Sequence, residues 1–512
     1  MVHEGTPPAG EKIGPGDRRY TALSRGFNPR WVAEPEYIRL VSSGEEVKNA
    51  LAAAVAETPK KPERSRITVR SGGHCYENFV CSPDVRVIID VSLMNGIHYD
   101  PAMQAVCVEA GATNRDIEER LVGKLGLALP GGSCPTVGAG GHIPGGGFGL
   151  LSRQFGLTVD YLHAVEVAVV TDKREVELVT ATADDTGDRK DLWWAHTGGG
   201  GGNFGIATRF WFRGLPAAPA EVIRAEVGWK WADMGKDDFH KLVDNFGRFF
   251  EEHRGQSGDA YAALFGILQL THSSKEQIGL ITQIDAAVPD AERRVAEFID
   301  KVGHGVGPRP LHMAEGHGEH ASIVNSKDPV AVPWHRVAER TGVATNDRAG
   351  KYKSAYMLTR LPTKQVDAVW RGLTENAQKP RDALVQIDSY GSKINEKSAD
   401  ATAMAQRSSI MKLQHQAYWP IKEGGTDHLR WIRELYQDMY RDTGGVPVSN
   451  AVTDGCYINY PDVDVRDKKW NTSGVSWSTL YYGANYPRLQ RAKKRWDPHN
   501  IFHHRESIGS GD

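Results

Sequence analysis

No uninterrupted apolar run approaches the roughly 18 residues that a membrane-spanning helix needs, so no spanning helix is expected. A charge excess is absent too. The chain carries 62 Lys and Arg against 64 Asp and Glu, a net charge of −2. That balance gives no electrostatic case for nucleic acid or a membrane surface as the main partner. Cysteine is scarce and odd in number, with Cys75, Cys81, Cys107, Cys134 and Cys456 at irregular spacing. In a chain this long, such spacing does not read as a disulfide framework, and buried thiols are the expectation. The segment from Met1 to Tyr20 lacks the apolar core of a secretory leader. The expected location is the cytoplasm if the chain is complete, with secretion left open. Internal repeats and low-complexity tracts are also absent.

What is present is ordinary globular composition, with 40% hydrophobic and 25% charged residues. The length of 512 residues suggests two or more domains. In the first 215 residues, short aliphatic runs at 67–70, 86–91, 105–109 and 164–171 alternate with helical patterns at 44–56 and 114–125. Ser43 followed by Glu46 has the spacing of a capping box. The texture changes near residue 220. Longer strands are expected at 221–230, 260–271, 277–285, 352–361, 383–390 and 410–419. Helices are expected at 239–253, 291–302, 363–375 and 427–442. This pattern predicts an α+β arrangement, a mainly antiparallel sheet backed by helices. Residues 303–350, rich in Gly, His and Pro, read as a long irregular connection that borders a site.

Glycine is concentrated at 131–149 and 198–205. Gly200, Gly202 and Gly205 match the spacing of a dinucleotide fingerprint, but DLWWAHT precedes them and the strand-like IATRFWF follows. A dinucleotide turn instead follows a strand and opens a helix. The more general reading is that glycine lets backbone N–H groups approach a phosphate without an intervening Cβ. Two stretches suit that role: Arg70-Ser71-Gly72-Gly73-His74, and Gly138-Ala139-Gly140-Gly141 with Gly145-Gly146-Gly147 after it. Two such loops in one half of the chain suggest an extended phosphate-containing cofactor, with tight-turn packing as the competing explanation.

The segments RSGGH at 70–74, GGSCPTVGAGGHIPGGGFG at 131–149 and YYGANYPRLQRAKKRWDPHNIFHH at 481–504 carry a resemblance over nearly the whole chain. Together they resemble the berberine-bridge-enzyme-like branch of the vanillyl-alcohol-oxidase flavoprotein superfamily. The resemblance implies a two-part FAD-binding domain, residues 1–215 and 466–512, with an α+β substrate domain inserted at 216–465. It also implies FAD bound covalently through His74 (8α) and Cys134 (6-S). An imidazole nitrogen and a thiolate are nucleophiles able to add to an oxidised flavin ring. Val137 matches a position where valine, in this family, looks permissive for O2, which favours oxidase over dehydrogenase. Asn485 and Asn500 are candidate cofactor contacts in the closing tail, whereas Tyr486 and Trp496 read as core.

Tyr457-Ile458-Asn459-Tyr460 matches the family's Tyr-x-Asn-Tyr motif. Alcohol oxidation needs a base near the O–H while hydride leaves carbon. The resemblance assigns that base to Tyr457, oriented by Asp388, with Tyr460 as partner or alternative. Gln386 and Asp388, two apart on a strand, face one side and resemble the Gln-x-Asp pair of oligosaccharide oxidases. Gln414 and Gln416 alternate on another strand, where amides suit sugar hydroxyls. Tyr76 is placed like the tyrosine on which a sugar ring stacks in those oxidases, and Tyr161 is a further substrate-contact candidate.

Other chemistries are weaker. His312, Glu315, His317, Glu319 and His320 cluster in sequence, but no paired ligand spacing supports a metal site, and a solvated loop is expected. Cys134 as a hydrolytic nucleophile lacks the nucleophile-elbow frame. Asn471-Thr472-Ser473 is a formal glycosylation sequon. The expected function is oxidation of an alcohol or hemiacetal carbon on a sugar, a glycoside or a polyketide, with O2 reduced to H2O2. An oligosaccharide oxidase giving a lactone is one alternative. A non-catalytic flavin- or carbohydrate-binding relative is an alternative of another class.

Overall fold

The computed structural model describes residues 10–58, 65–255, 258–324, 326–340, 348–375 and 381–510. Three sheets organise them. The first holds β1 (Glu11–Ile13), β2 (Tyr37–Leu40), β3 (Arg66–Arg70) and β4 (Val85–Asp90) in the order β1-β2-β4-β3. Its inner pairs are parallel. The second holds β5 (Ile97–Asp100), β6 (Ala105–Glu109), β7 (Leu162–Val170), β8 (Val176–Thr182) and β9 (Ile206–Phe212), all paired antiparallel.

The third sheet has eight strands. They are β10 (Glu221–Lys230), β11 (Phe265–Thr271), β12 (Gln277–Asp285), β13 (Leu311–His312), β14 (Val330–Pro333), β15 (Arg348–Met357), β16 (Asp382–Ser389) and β17 (Met411–Pro420). The central strands read as continuous buried runs because both faces are covered, by helices on one side and by the rest of the chain on the other. Val385, Ile387 and Leu413 belong to the large apolar core, while Gln386, Asp388, Lys412 and Gln414 form a buried polar stripe. Strand alternation puts these two sets on opposite faces. Register puts Lys412 directly across from Asp388, and Gln414 across from Gln386.

The α+β expectation holds, and most predicted elements form within a few residues of their expected ends. Ser43 caps the helix Gly44–Glu57 by accepting the Glu46 N–H. The Glu46 carboxylate, however, bonds Ser42 instead of closing the box on Ser43. The helix expected at 114–125 contains a π-helical stretch at Glu118–Val122. Residues 260–264 precede β11 as a turn, and β15 begins at Arg348, earlier than its pattern suggests. All five cysteines are free. No described helix is long and apolar enough to cross a membrane.

The tail returns to the N-terminal part. Helix Tyr486–Trp496 packs on helix Gly187–Ala195 through Arg488–Asp191 and Arg495–Asp188 pairs. Lys493, fully buried, donates to the Asn203 carbonyl and pairs with Asp497 at 2.6 Å. A buried ammonium needs such partners, because desolvation without compensation is costly.

Candidate active site

A cavity of about 250 Å³ runs from β3 and Phe502 past both glycine loops to Tyr457 and Tyr460. The first loop follows β3, and the second leads into a short helix at Ala139–His142. The two loops touch. A Cβ on Gly72 would stand 2.4 Å from the Gly138 nitrogen, and one on Gly138 would stand 2.1 Å from Ser71 Oγ. These glycines serve close packing, the competing explanation raised above. Gly141 and Gly202 are different. Both line the cavity, and nothing lies within 4 Å of where their Cβ atoms would be. They form the open part of the cradle.

His74 lies on the cavity wall, stacked on Phe27 with ring centroids 4.3 Å apart. Its Nε2 is 2.8 Å from Thr136 Oγ1. Burial, helped by the nearby Arg70 guanidinium, pushes its pKa down to about 4, so the imidazole is neutral at pH 7. Cys134 is buried on the same cavity, and burial pushes its thiol well up. Ser71, Gly72, Gly73, Val137, Gly138 and Gly140 also line it.

Several expected cofactor contacts do not reach the cavity wall. Arg70 pairs with Asp90 at 2.8 Å at the end of β3, beneath the loop. Gly145 packs on Asn459, whose Oδ1 would lie 2.0 Å from an added Cβ. The Asn485 amide donates to the carbonyls of Ala399, Thr402 and Ala403, so it ties down that loop. Asn500 is exposed at a positive φ in a turn. From the tail, Phe502, His503 and His504 reach the wall instead, and His504 stacks on Phe79 at 4.0 Å. Gly200 to Gly202 and Asn203 contribute a third glycine segment. It follows a helix and precedes β9, so it is not a dinucleotide turn. Its glycine density was the signal that could have counted it among the cradle loops.

At the other end stand Tyr457, Asn459, Tyr460 and Asp388. Asn459 Nδ2 donates to the Tyr457 hydroxyl at 3.0 Å and to the His142 carbonyl at 2.9 Å. Asp388 serves the other tyrosine. Lys412, fully buried, is 3.0 Å from Asp388 Oδ2 and donates to the Tyr460 hydroxyl at 2.9 Å. Its ammonium also lies 4.1 Å from the Tyr460 ring centroid. Gln386 Nε2 holds the other Asp388 oxygen at 2.7 Å. The expectation that Asp388 orients Tyr457 is therefore corrected: cross-strand register leads from Asp388 through Lys412 to Tyr460. Burial lowers the Lys412 pKa, with Asp388 acting against it. Burial, then the Asp388 and Glu319 carboxyls, raise Tyr460 well above the usual phenol range.

Tyr76 lines the cavity, and its ring stacks on Tyr352 with centroids 3.6 Å apart. Gln386, Gln414 and Gln416 sit one layer behind the wall. Gln414 donates to the Tyr76 hydroxyl at 3.3 Å, and Gln416 to Gln386 at 3.4 Å. Tyr161 lies elsewhere, its hydroxyl donating to the Phe155 carbonyl at 2.6 Å. Glu319 and His320 are wall residues, which overturns the solvated-loop reading at those two positions. No cluster of three metal-ligating side chains occurs among the described residues. Lys412 is the functional candidate that sequence reasoning missed, and the sequence offers Glu319 only as one of a set of metal ligands. A lysine in a strand of mixed polar and apolar residues and a glutamate in an irregular loop carry no periodic signal.

The arrangement fits FAD. An elongated cleft, with backbone cradles at Gly141 and Gly202, suits a pyrophosphate between two ring systems. His74 and Cys134 stand along it on adjoining loops.

Known proteins agree. An FAD binding domain model matches residues 35–176, and a berberine and berberine-like model matches residues 456–509. The aclacinomycin-N/aclacinomycin-A oxidase of Streptomyces galilaeus is 40% identical over 506 residues, covering 96% of this chain and 88% of that one. The hexose oxidase of Chondrus crispus is 35% identical, covering 96% of this chain and 93% of that one. Among solved structures, a glycopeptide hexose oxidase complexed with teicoplanin aligns with a TM-score of 0.89 at 40% identity, over 98% of this chain and 99% of that one. The chain therefore belongs to the berberine-bridge-enzyme-like family of FAD-dependent oxidoreductases.

Proposed function

We propose that this protein oxidises an alcohol or hemiacetal carbon of a sugar, free or attached to an aglycone such as a polyketide, with O2 as electron acceptor and H2O2 as product. FAD, when bound, supplies the hydride acceptor and hands the electrons to O2. In this reading His74 and Cys134 are its two tethers, and Val137 is the cavity residue that leaves room for O2. The observation that carries the reading is the Asp388–Lys412–Tyr460 chain on the wall of a glycine-cradled cleft. The named activities of the relatives support it: aclacinomycins, hexoses and a glycopeptide are sugars or glycosylated compounds.

Tyr460 is the proposed base. Burial makes its hydroxyl a reluctant acid, and the Lys412 ammonium at 2.9 Å is the group that favours the tyrosinate. A charge-assisted hydrogen bond of this kind is about twice as strong as a neutral one. Asp388, itself held by Gln386, fixes Lys412 in place. The tyrosinate takes the substrate hydroxyl proton as hydride leaves the same carbon. Tyr457 is the alternative base. Its hydroxyl accepts from Asn459 and lines the same cleft. Tyr76 stands on the wall of this cleft, where an oligosaccharide oxidase giving a lactone would hold its sugar.

Peroxide release tests the reading. Oligosaccharides and glycosylated polyketides are supplied to the yellow holoenzyme, and H2O2 is measured. Peroxide stoichiometric with oxidised sugar is expected. A holoenzyme that releases none with either class would be a flavin- or carbohydrate-binding relative instead.

A further inference from the structure

Glu319 comes from the irregular stretch between β13 and β14, yet it is firmly held. Glu226 on β10 accepts the Ile323 and Val324 N–H groups at 3.0 and 3.2 Å, and its own carbonyl accepts the Met313 N–H at 3.1 Å. Gln269 on β11 donates to the His317 carbonyl at 2.8 Å. These bonds pin the stretch against the large sheet, with Glu319 on the cavity wall.

The carboxyl of Glu319 has neutral hydrogen-bond partners. Its two oxygens lie 2.6 and 2.8 Å from the Tyr76 hydroxyl, and Gln414 bonds it as well. The ammonium at this end of the cavity, Lys412, is already paired with Asp388 and bonded to Tyr460. His320 shares the wall, and burial pushes it down to about 4, so it adds no positive charge. Two carboxyls therefore face one ammonium. The tyrosine that bonds the surplus acid belongs to a cluster of rings. Tyr76 stacks on Tyr352, Tyr352 meets Tyr418 edge-on at 5.7 Å, and Tyr460 lies 5.6 Å from Tyr76.

A buried carboxylate beside a cluster of electron-rich rings is chemistry suited to an organic ammonium. Burial raises the Glu319 pKa, so its ionised form is costly here without a cation, and a bound ammonium would remove that cost. We infer that Glu319 and Tyr76 form a subsite for a protonated amine, so that the substrate class includes an amino-substituted sugar or glycoside. The inference rests on the reading of this cleft as the substrate site. It adds a requirement that neutral-sugar recognition does not have.

The test is a titration of the holoenzyme with tetramethylammonium chloride, against sodium chloride at equal ionic strength, followed by the melting temperature. A saturable rise is expected in the wild type and in Glu319→Asp, which keeps the charge. In Glu319→Gln the apparent affinity should fall at least tenfold. Equal affinity in Glu319→Gln, or no saturable response in the wild type, overturns the subsite. The readout needs no turnover. Absence of peroxide with every alcohol would sink the oxidase reading alone, while the titration still decides the cation site.

Discussion

Lys412 donates to the hydroxyl of Tyr460 across 2.9 Å inside the wall of the cofactor cleft. Three groups form one unit there, since Asp388 fixes the lysine from the neighbouring strand. A group that stabilises a tyrosinate should matter as much as the tyrosine itself. Lys412→Met is expected to lower kcat/KM by roughly 10²- to 10⁴-fold, the usual contribution of general base catalysis. Tyr460→Phe should cost about as much. The double variant should be scarcely worse than either single one, because members of one catalytic unit are not additive. Steady-state kinetics on the three variants checks this. Independent, multiplicative losses would mean that the two residues do not act together.

Gly141 borders the cleft without a positive φ, and its Cβ direction is empty. A larger side chain would therefore enter the cofactor cradle without straining the backbone. Gly141→Val is expected to fold, with a circular dichroism spectrum like the wild type, and to purify with little or no flavin. Absorbance at 450 nm relative to 280 nm reports the loading. Full loading would move the pyrophosphate cradle elsewhere.

His74 and Cys134 sit on separate loops that meet at Gly72 and Gly138. His74→Ala and Cys134→Ala should each retain one covalent bond, so flavin stays with acid-precipitated protein in both. The double variant should release its FAD to the supernatant. Mass spectrometry of flavin-bearing peptides reads each bond directly. Free flavin from the wild type would remove the tethers from the mechanism.

Glu506 is fully buried in the C-terminal tail, with neither carboxyl oxygen hydrogen-bonded. Burial, then Asp462 and Glu77, raise its pKa well above the carboxylate range. A raised carboxyl pKa means that the folded state binds more protons than the unfolded one above about pH 4.3. Stability from this group is then lost as pH climbs from that value toward the folded pKa. Melting temperature in the wild type is expected to decline between pH 5 and pH 8. Glu506→Gln should flatten the decline, because its side chain does not titrate. Parallel slopes in the two proteins would show that other groups govern the trend.

Some of this molecule was legible along the chain. Alternating and continuous apolar runs fixed β4, β6, β7 and the long strands from β10 onward, since burial imposes those periods on any sequence that folds this way. The glycine-dense loops around His74 and Cys134 marked the cleft, because close backbone approach demands glycine wherever it occurs. Tyr457 and Tyr460 were readable from a four-residue motif, and the two-part flavin architecture from the resemblance. Folding decided the partnerships. Whether Asp388 serves Tyr457 or Tyr460 depends on cross-strand register, which pairs residues 24 apart in sequence through a hydrogen-bond ladder. Which glycines cradle a ligand and which merely pack is set by what stands opposite each Cβ position. Asn485 follows the same logic: an amide can serve a cofactor or a loop, and the carbonyls of Ala399, Thr402 and Ala403 decide for the loop. The setting of Glu319 comes from Tyr76, Tyr352, Tyr418 and Tyr460, drawn from four separate segments that only folding brings together.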